Sequence, residues 1–89
     1  MNNHETLIMH EQSIIGSLLQ NNDFIDLVGD LSAPCFIRED HQILYRCTHD
    51  LIAAGKPVDL IILAEHLEKS GELDRVGGLE YIGTLVQNT

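Results

Sequence analysis

Five histidines and two cysteines are the side chains best able to hold a metal ion: His4, His10, His41, His49 and His66, with Cys35 and Cys47. A helical metal site needs ligands on one face, as in H-x-x-x-H, or a tight C-x-x-C loop. Neither spacing occurs. His49 follows Cys47 by two positions, which points the side chains apart on a helix. Carboxylates are abundant, and the close pairs are Glu39-Asp40, Glu65 with Glu68, and Glu72 with Asp74. General acid–base work needs a pair that converges in a cleft with its pKa values driven apart. These pairs fall on outer helix faces or at helix starts, where acids favour the macrodipole. Ser13, Ser17, Ser32 and Ser70 lack the G-x-S-x-G setting of an activated serine. Gly77-Gly78 is followed by no Lys-Ser/Thr pair, so it is no phosphate loop. The sequence therefore predicts no catalytic residue, no cofactor site and no metal site.

Charge narrows the partners. The chain has 89 residues and a net charge of -9, from 14 acidic against 5 basic side chains. Binding a phosphate backbone needs clustered Lys and Arg. Arg38, Arg46, Lys56, Lys69 and Arg75 are scattered singly. Such a surface disfavours nucleic acid and favours basic patches on other proteins. Both cysteines stand beside apolar residues and are expected to be buried free thiols, which fits a reducing, cytoplasmic setting. The start, Met1-Asn2-Asn3-His4-Glu5, lacks the basic and apolar regions of a signal peptide. No apolar run approaches the ~20 residues of a membrane span.

Apolar periodicity predicts an all-α fold, a bundle of about five to six short helices without sheet. Leu7, Ile8, Ile14, Ile15, Leu18 and Leu19 place a first helix over 7–20, with Gly16 marking a close neighbour. Phe24, Leu27, Val28 and Leu31 place a second over 24–31 by the i, i+3, i+4, i+7 rule. A third covers 39–54, with Ile43, Leu44, Cys47 and Leu51 inward and Gly55 as its stop. Asp59 is expected to cap a fourth over 60–70, with Leu60, Leu63, Ala64 and Leu67 inward. Glu65 and Lys69 are spaced for an i, i+4 pair on its outer face. Gly71 ends it, one short turn is expected over 72–76, and Gly77-Gly78 form a tight turn before a last helix. The last stripe is Leu79, Ile82, Leu85 and Val86, which leaves Tyr81 toward the edge, where truncation would cost only ~1 kcal/mol. The connections are short, as in bundles of sequential neighbours.

Three segments carry a family resemblance. Glu11-Gln12-Ser13-Ile14-Ile15-Gly16 resembles the EQSVLG opening of the N-terminal domain of DnaB-type replicative DNA helicases. Pro57-Val58-Asp59-Leu60 through Leu63-Ala64-Glu65 resembles that family's PIDxxTLAE segment. The run from Gly71 to Ile82, with Gly77-Gly78 and Tyr81, resembles its GxLxxVGGxxYL segment. Between them, Cys35-Phe36, His41 and Ile43 keep the order of an aromatic, a histidine and an apolar residue.

The resemblance implies a helical head over residues 9–89, after an N-terminal extension and helix start at 1–8. In the family the head precedes a helical hairpin, a linker and a RecA-like motor. The chain is thus expected to be cut before the hairpin and ATPase domain, at a linker signal in Asn88-Thr89. ATP and magnesium would belong to the missing motor of an ATP-dependent 5'-3' DNA helicase. The implied role is non-catalytic: assembly of the hexamer collar with other helicase subunits, and contact with primase and a helicase loader during DNA replication. Without the hairpin the piece is expected to be a monomer or weak dimer. Tyr81 matches the family's tyrosine and, with Glu11, is the expected partner-binding residue; Gly16, Gly77 and Gly78 are expected to be structural. Some positions depart from the pattern. Ile62 stands for Thr, Pro34-Cys35 for an acidic pair, Gln42 for Arg, and Met9 at an acidic position implicated in partner signalling. Two other classes fit less well: a free-standing regulator that binds helicase or primase, and an enzyme with a His/Asp metal site.

Overall fold

Helix formation begins where polar groups can satisfy the first free amides and ends where the backbone must turn left-handed. In the computed structural model, which describes residues 3–28 and 30–88, five α-helices follow these rules: α1 (Asn3–Gln20), α2 (Ile25–Val28), α3 (Glu39–Ala53), α4 (Leu60–Ser70) and α5 (Gly78–Gln87). Three 3-10 turns join them, at Asn22–Phe24, Ala33–Cys35 and Asp74–Val76, and no strand occurs among the described residues. Met1, Asn2, Gly29 and Thr89 lie outside that description. So do the first residues of the expected extension, the middle of the expected second helix and the end of the expected linker signal.

The fourth helix follows its sequence signals closely. The Asp59 carboxylate accepts the Ile62 N–H at 2.9 Å, and Gly71 closes the helix at φ 77°. Leu63, Ala64 and Leu67 are buried, and Leu60 packs against the same core. Glu65 and Lys69 form no ion pair; both side chains stay exposed.

Around α4 the bundle closes through α1, α3 and α5. Helix α1 packs on both α3 and α5, and α4 packs on α5 and α3. The shared core is mostly Leu, Ile and Val, with Cys47, Ala64 and two aromatics, Phe36 and Tyr45. Asn22 ties the α1 end to the connector before α4. Its amide donates to the Leu18 and Val58 carbonyls and accepts the Val58 N–H, each at 2.8 Å.

Four expectations need correction. Helix α1 starts at Asn3, earlier than Leu7. The second helix does not run over 24–31: Asn21 caps a 3-10 turn, which changes the residue phase, and α2 lasts four residues. With the phase changed, Leu27 is 80% exposed while Phe24, Val28 and Leu31 still touch the core. Cys35 is exposed, because it ends the 3-10 turn at Ala33–Cys35 and its sulfur faces the Ser32 hydroxyl at 3.6 Å; Cys47 is buried as expected. Leu79 is 47% exposed, since it sits in the first turn of α5, next to the glycine pair. Tyr45 is a core residue absent from the expected stripe. It stacks on Phe36 at 4.7 Å, and its hydroxyl donates to the Val28 and Leu31 carbonyls at 3.0 and 2.9 Å.

Candidate functional site

Among the described residues, two of the three buried polar ones meet at one place. Helix α1 brings Glu11, 7% exposed; α3 brings His41, fully buried; α5 brings the half-buried Tyr81. His41 Nδ1 lies 2.8 Å from Glu11 Oε1, and His41 Nε2 lies 2.6 Å from the Tyr81 hydroxyl. Glu11 Oε2 accepts the Ile37 N–H, and the Gln12 amide donates to the Tyr81 oxygen at 3.1 Å. The His41 and Tyr81 rings lie nearly parallel, 8° apart, with centroids 6.0 Å apart. The Arg38 guanidinium sits 5.5 Å over the Tyr81 ring, within cation–π range, and is held by Asp40, which accepts from Arg38 Nε at 3.0 Å.

Buried polar atoms are stable only when they are paired, and here every member has a partner. A carboxylate, imidazole and hydroxyl in this order can activate a nucleophile. The terminal hydroxyl is here a phenol that also accepts from Gln12, and the order ties three helices together. No group of three or more His, Cys, Asp or Glu side chains is arranged to hold a metal ion among the described residues.

The turn before α5 is built around Tyr81. Gly77 has φ 93° and Gly78 φ 74°, a backbone that side chains resist. A Cβ on Gly77 would also lie 2.8 Å from the Tyr81 Cβ, whereas one on Gly78 would meet nothing within 4 Å. Gly77 is thus needed twice, for the turn and for the Tyr81 side chain. Gly16 is buried within α1, beside the buried Ile15.

Glu11 and Tyr81, singled out separately, are joined through His41. Glu11 was expected to face a partner; it faces the interior, with both oxygens engaged inside the chain. Tyr81 is at the edge of its helix, but its hydroxyl closes on a fully buried imidazole, so its removal will cost more than an ordinary edge residue. The role of His41 was missed. The signal was a second stripe on α3: His41, Leu44, Tyr45 and Thr48, at i, i+3, i+4 and i+7, are all buried. Thr48 hides in that stripe by donating to the Leu44 carbonyl at 2.8 Å.

A cleft between α1 and α5 is lined by Met9, Gln12, Ser13, Thr84, Leu85 and Asn88, and it reaches the cluster through Gln12, the donor to the Tyr81 hydroxyl. Met9 is 64% exposed there. The two thiols lie elsewhere. The Ser32 hydroxyl and backbone hold the exposed Cys35 thiol below its ordinary pKa, while burial pushes the Cys47 thiol up.

The sequence profile of the DnaB-like helicase N terminal domain matches residues 3–89. The chain belongs to that family. Replicative DNA helicase DnaB of Buchnera aphidicola subsp. Schizaphis graminum (strain Sg) is 36% identical over 80 residues, which is 89% of this chain and 17% of that protein. Replicative DNA helicase DnaB of Mycobacterium leprae (strain TN) is 38% identical over 77 residues, 85% of this chain and 13% of that protein. The chain therefore spans about a sixth of the first of these relatives and less of the second. The crystal structure of the N-terminal domain of DnaB helicase from Mycobacterium tuberculosis superposes with a TM-score of 0.82 at 37% identity, covering 86% of this chain and 56% of that one. The fold is thus the all-helical head of the DnaB family, and the chain corresponds to the N-terminal domain of a replicative helicase. Segments that carried the resemblance meet in the cluster: Glu11 comes from the first, His41 from the looser middle and Tyr81 from the glycine-rich third. No helix is long and apolar enough to cross a membrane among the described residues.

Proposed function

We propose that this chain is the protein-interaction and oligomerisation head of a replicative DNA helicase. It joins other helicase subunits in the hexamer collar and docks primase and a helicase loader in the cytoplasm, with no catalysis, cofactor or nucleic-acid contact of its own. One observation carries the reading beyond family membership: the Tyr81 hydroxyl is tied to the buried His41 and to Gln12, and Gln12 also lines an open cleft between α1 and α5 bordered by the exposed Met9. A rigid aromatic near an open cleft is a common anchor at protein interfaces. The net charge of -9 supports basic protein surfaces as the complement and opposes DNA.

The test uses the immobilised chain, offered primase from the same source and, separately, a labelled single-stranded DNA at physiological salt. Primase is expected to be retained, with DNA passing through and no ATP turned over. Tight DNA binding that weakens steeply with salt, or a primase that passes through unretained, would contradict the reading.

A further inference from the structure

The hydrogen bonds around His41 have a direction. A Glu11 carboxylate has only lone pairs to offer, so the hydrogen between it and His41 belongs to Nδ1. Whenever the imidazole carries a single hydrogen and holds it on Nδ1, Nε2 is bare and must accept. The group facing that nitrogen at 2.6 Å is the Tyr81 hydroxyl, which therefore points its hydrogen inward. The Tyr81 oxygen takes the Gln12 amide hydrogen from the other side. The relay runs from Gln12 to Tyr81 to His41 to Glu11, starting and ending on adjacent residues of α1 and passing through α5 and α3. The charged groups beside it are few. Arg38 lies over the Tyr81 ring, and Asp40 accepts the His41 backbone N–H at 2.8 Å and holds Arg38.

We infer that Glu11 and His41 are positioning residues for Tyr81: Glu11 holds the hydrogen of His41 on Nδ1, and His41 Nε2 turns the Tyr81 hydroxyl inward and orients its ring. Glu11 acts on Tyr81 without touching it. The consequence for a docking partner rests on the reading of the cleft given above; the tautomer and the coupling belong to the chain alone.

Long-range proton–nitrogen NMR on the labelled chain at neutral pH reads the tautomer. His41 should show a protonated Nδ1 and a bare, accepting Nε2. Tyr81→Phe should shift Nε2 and leave the hydrogen on Nδ1. Glu11→Gln should move the Tyr81 ring resonances, although the two side chains share no contact. Should Glu11→Gln fail to fold, the same coupling is read from the other end: Tyr81→Phe must shift the Ile37 amide, which Glu11 holds. A hydrogen on Nε2, or an Ile37 amide unmoved by Tyr81→Phe, would overturn the inference. Primase capture separates the two proposals. If Tyr81 is the anchor, folded Glu11→Gln loses affinity by about as many fold as Tyr81→Phe. Equal capture by wild type and both variants, with the tautomer as stated, ends the docking role and leaves the positioning in place.

Discussion

Helix α4 and the Glu11–His41–Tyr81 cluster hold the same bundle by opposite means. Helix α4 is apolar inside, capped by Asp59 at one end and closed by Gly71 at the other. Its contribution is the burial of Leu63, Ala64 and Leu67, at about 25 cal/mol per Å² of apolar surface. That term is non-directional, so it tolerates small shifts of the helix. The cluster buries a carboxylate, which would cost several kcal/mol if unpaired, and an imidazole, whose unpaired polar atoms would cost about 1–3 kcal/mol each. It is stable because each atom meets its partner at hydrogen-bond distance, and it therefore fixes how α1, α3 and α5 sit relative to one another. The apolar region keeps the domain folded; the polar region sets its register, and the surface above it is where we place docking.

The largest effect should come from breaking the polar side of that comparison. His41→Ala leaves a buried carboxylate facing a cavity and takes the inward partner from Tyr81. The expected loss is about 3–5 kcal/mol, as for a buried pair deprived of one member. A domain this small has roughly 5–10 kcal/mol to lose, so chemical denaturation should show a greatly reduced midpoint. A loss no greater than ~1 kcal/mol would mean that the cluster is incidental.

The two glycines before α5 sharpen the comparison, since they share a backbone and differ only in what they touch. Gly78→Ala should cost about 1–2 kcal/mol, the left-handed penalty alone. Gly77→Ala carries the same penalty and drives a methyl into Tyr81, so it should melt clearly lower than Gly78→Ala. Equal melting temperatures would show that the Tyr81 side chain gives way freely.

On the apolar side, Asp59→Ala removes the cap of α4 and should cost ~1 kcal/mol. Leu27→Ser should lie within about 0.5 kcal/mol of wild type, because the side chain is already 80% exposed. Thermal melting reads both. A large loss at Leu27 would mean that α2 is covered in the isolated chain, by self-association or otherwise.

The same division decided what could be read from sequence. Leu63, Ala64 and Leu67 repeat with the helical period between an Asp and a Gly, and α4 has the expected limits. Gly55, Gly71, Gly77 and Gly78 all adopt the left-handed backbone. His41 and Thr48 share the period of Leu44 and Tyr45, but the signal is weak, because histidine, threonine and glutamate sit on outer faces as easily as inner ones. His41 and Thr48 are buried because of partners on other elements or one turn back, and Glu11 because His41 and Ile37 meet it. The segment around α2 failed for another reason. A 3-10 turn of three residues advances the chain by a different angle from an α-turn, which exposed Leu27 against an otherwise correct pattern.

The central claim is that the α1–α5 cleft is a docking face, joined to the cluster through Gln12. Met9 and Thr84 line that cleft and are exposed, so arginine at either position should leave the fold intact. The deciding measurement is the affinity of primase for wild type, Met9→Arg and Thr84→Arg, with the melting temperature of each chain beside it. The account predicts unchanged melting and at least about a tenfold loss of affinity for both variants, a change of ~1.4 kcal/mol. Two folded variants that bind primase as tightly as wild type would contradict it.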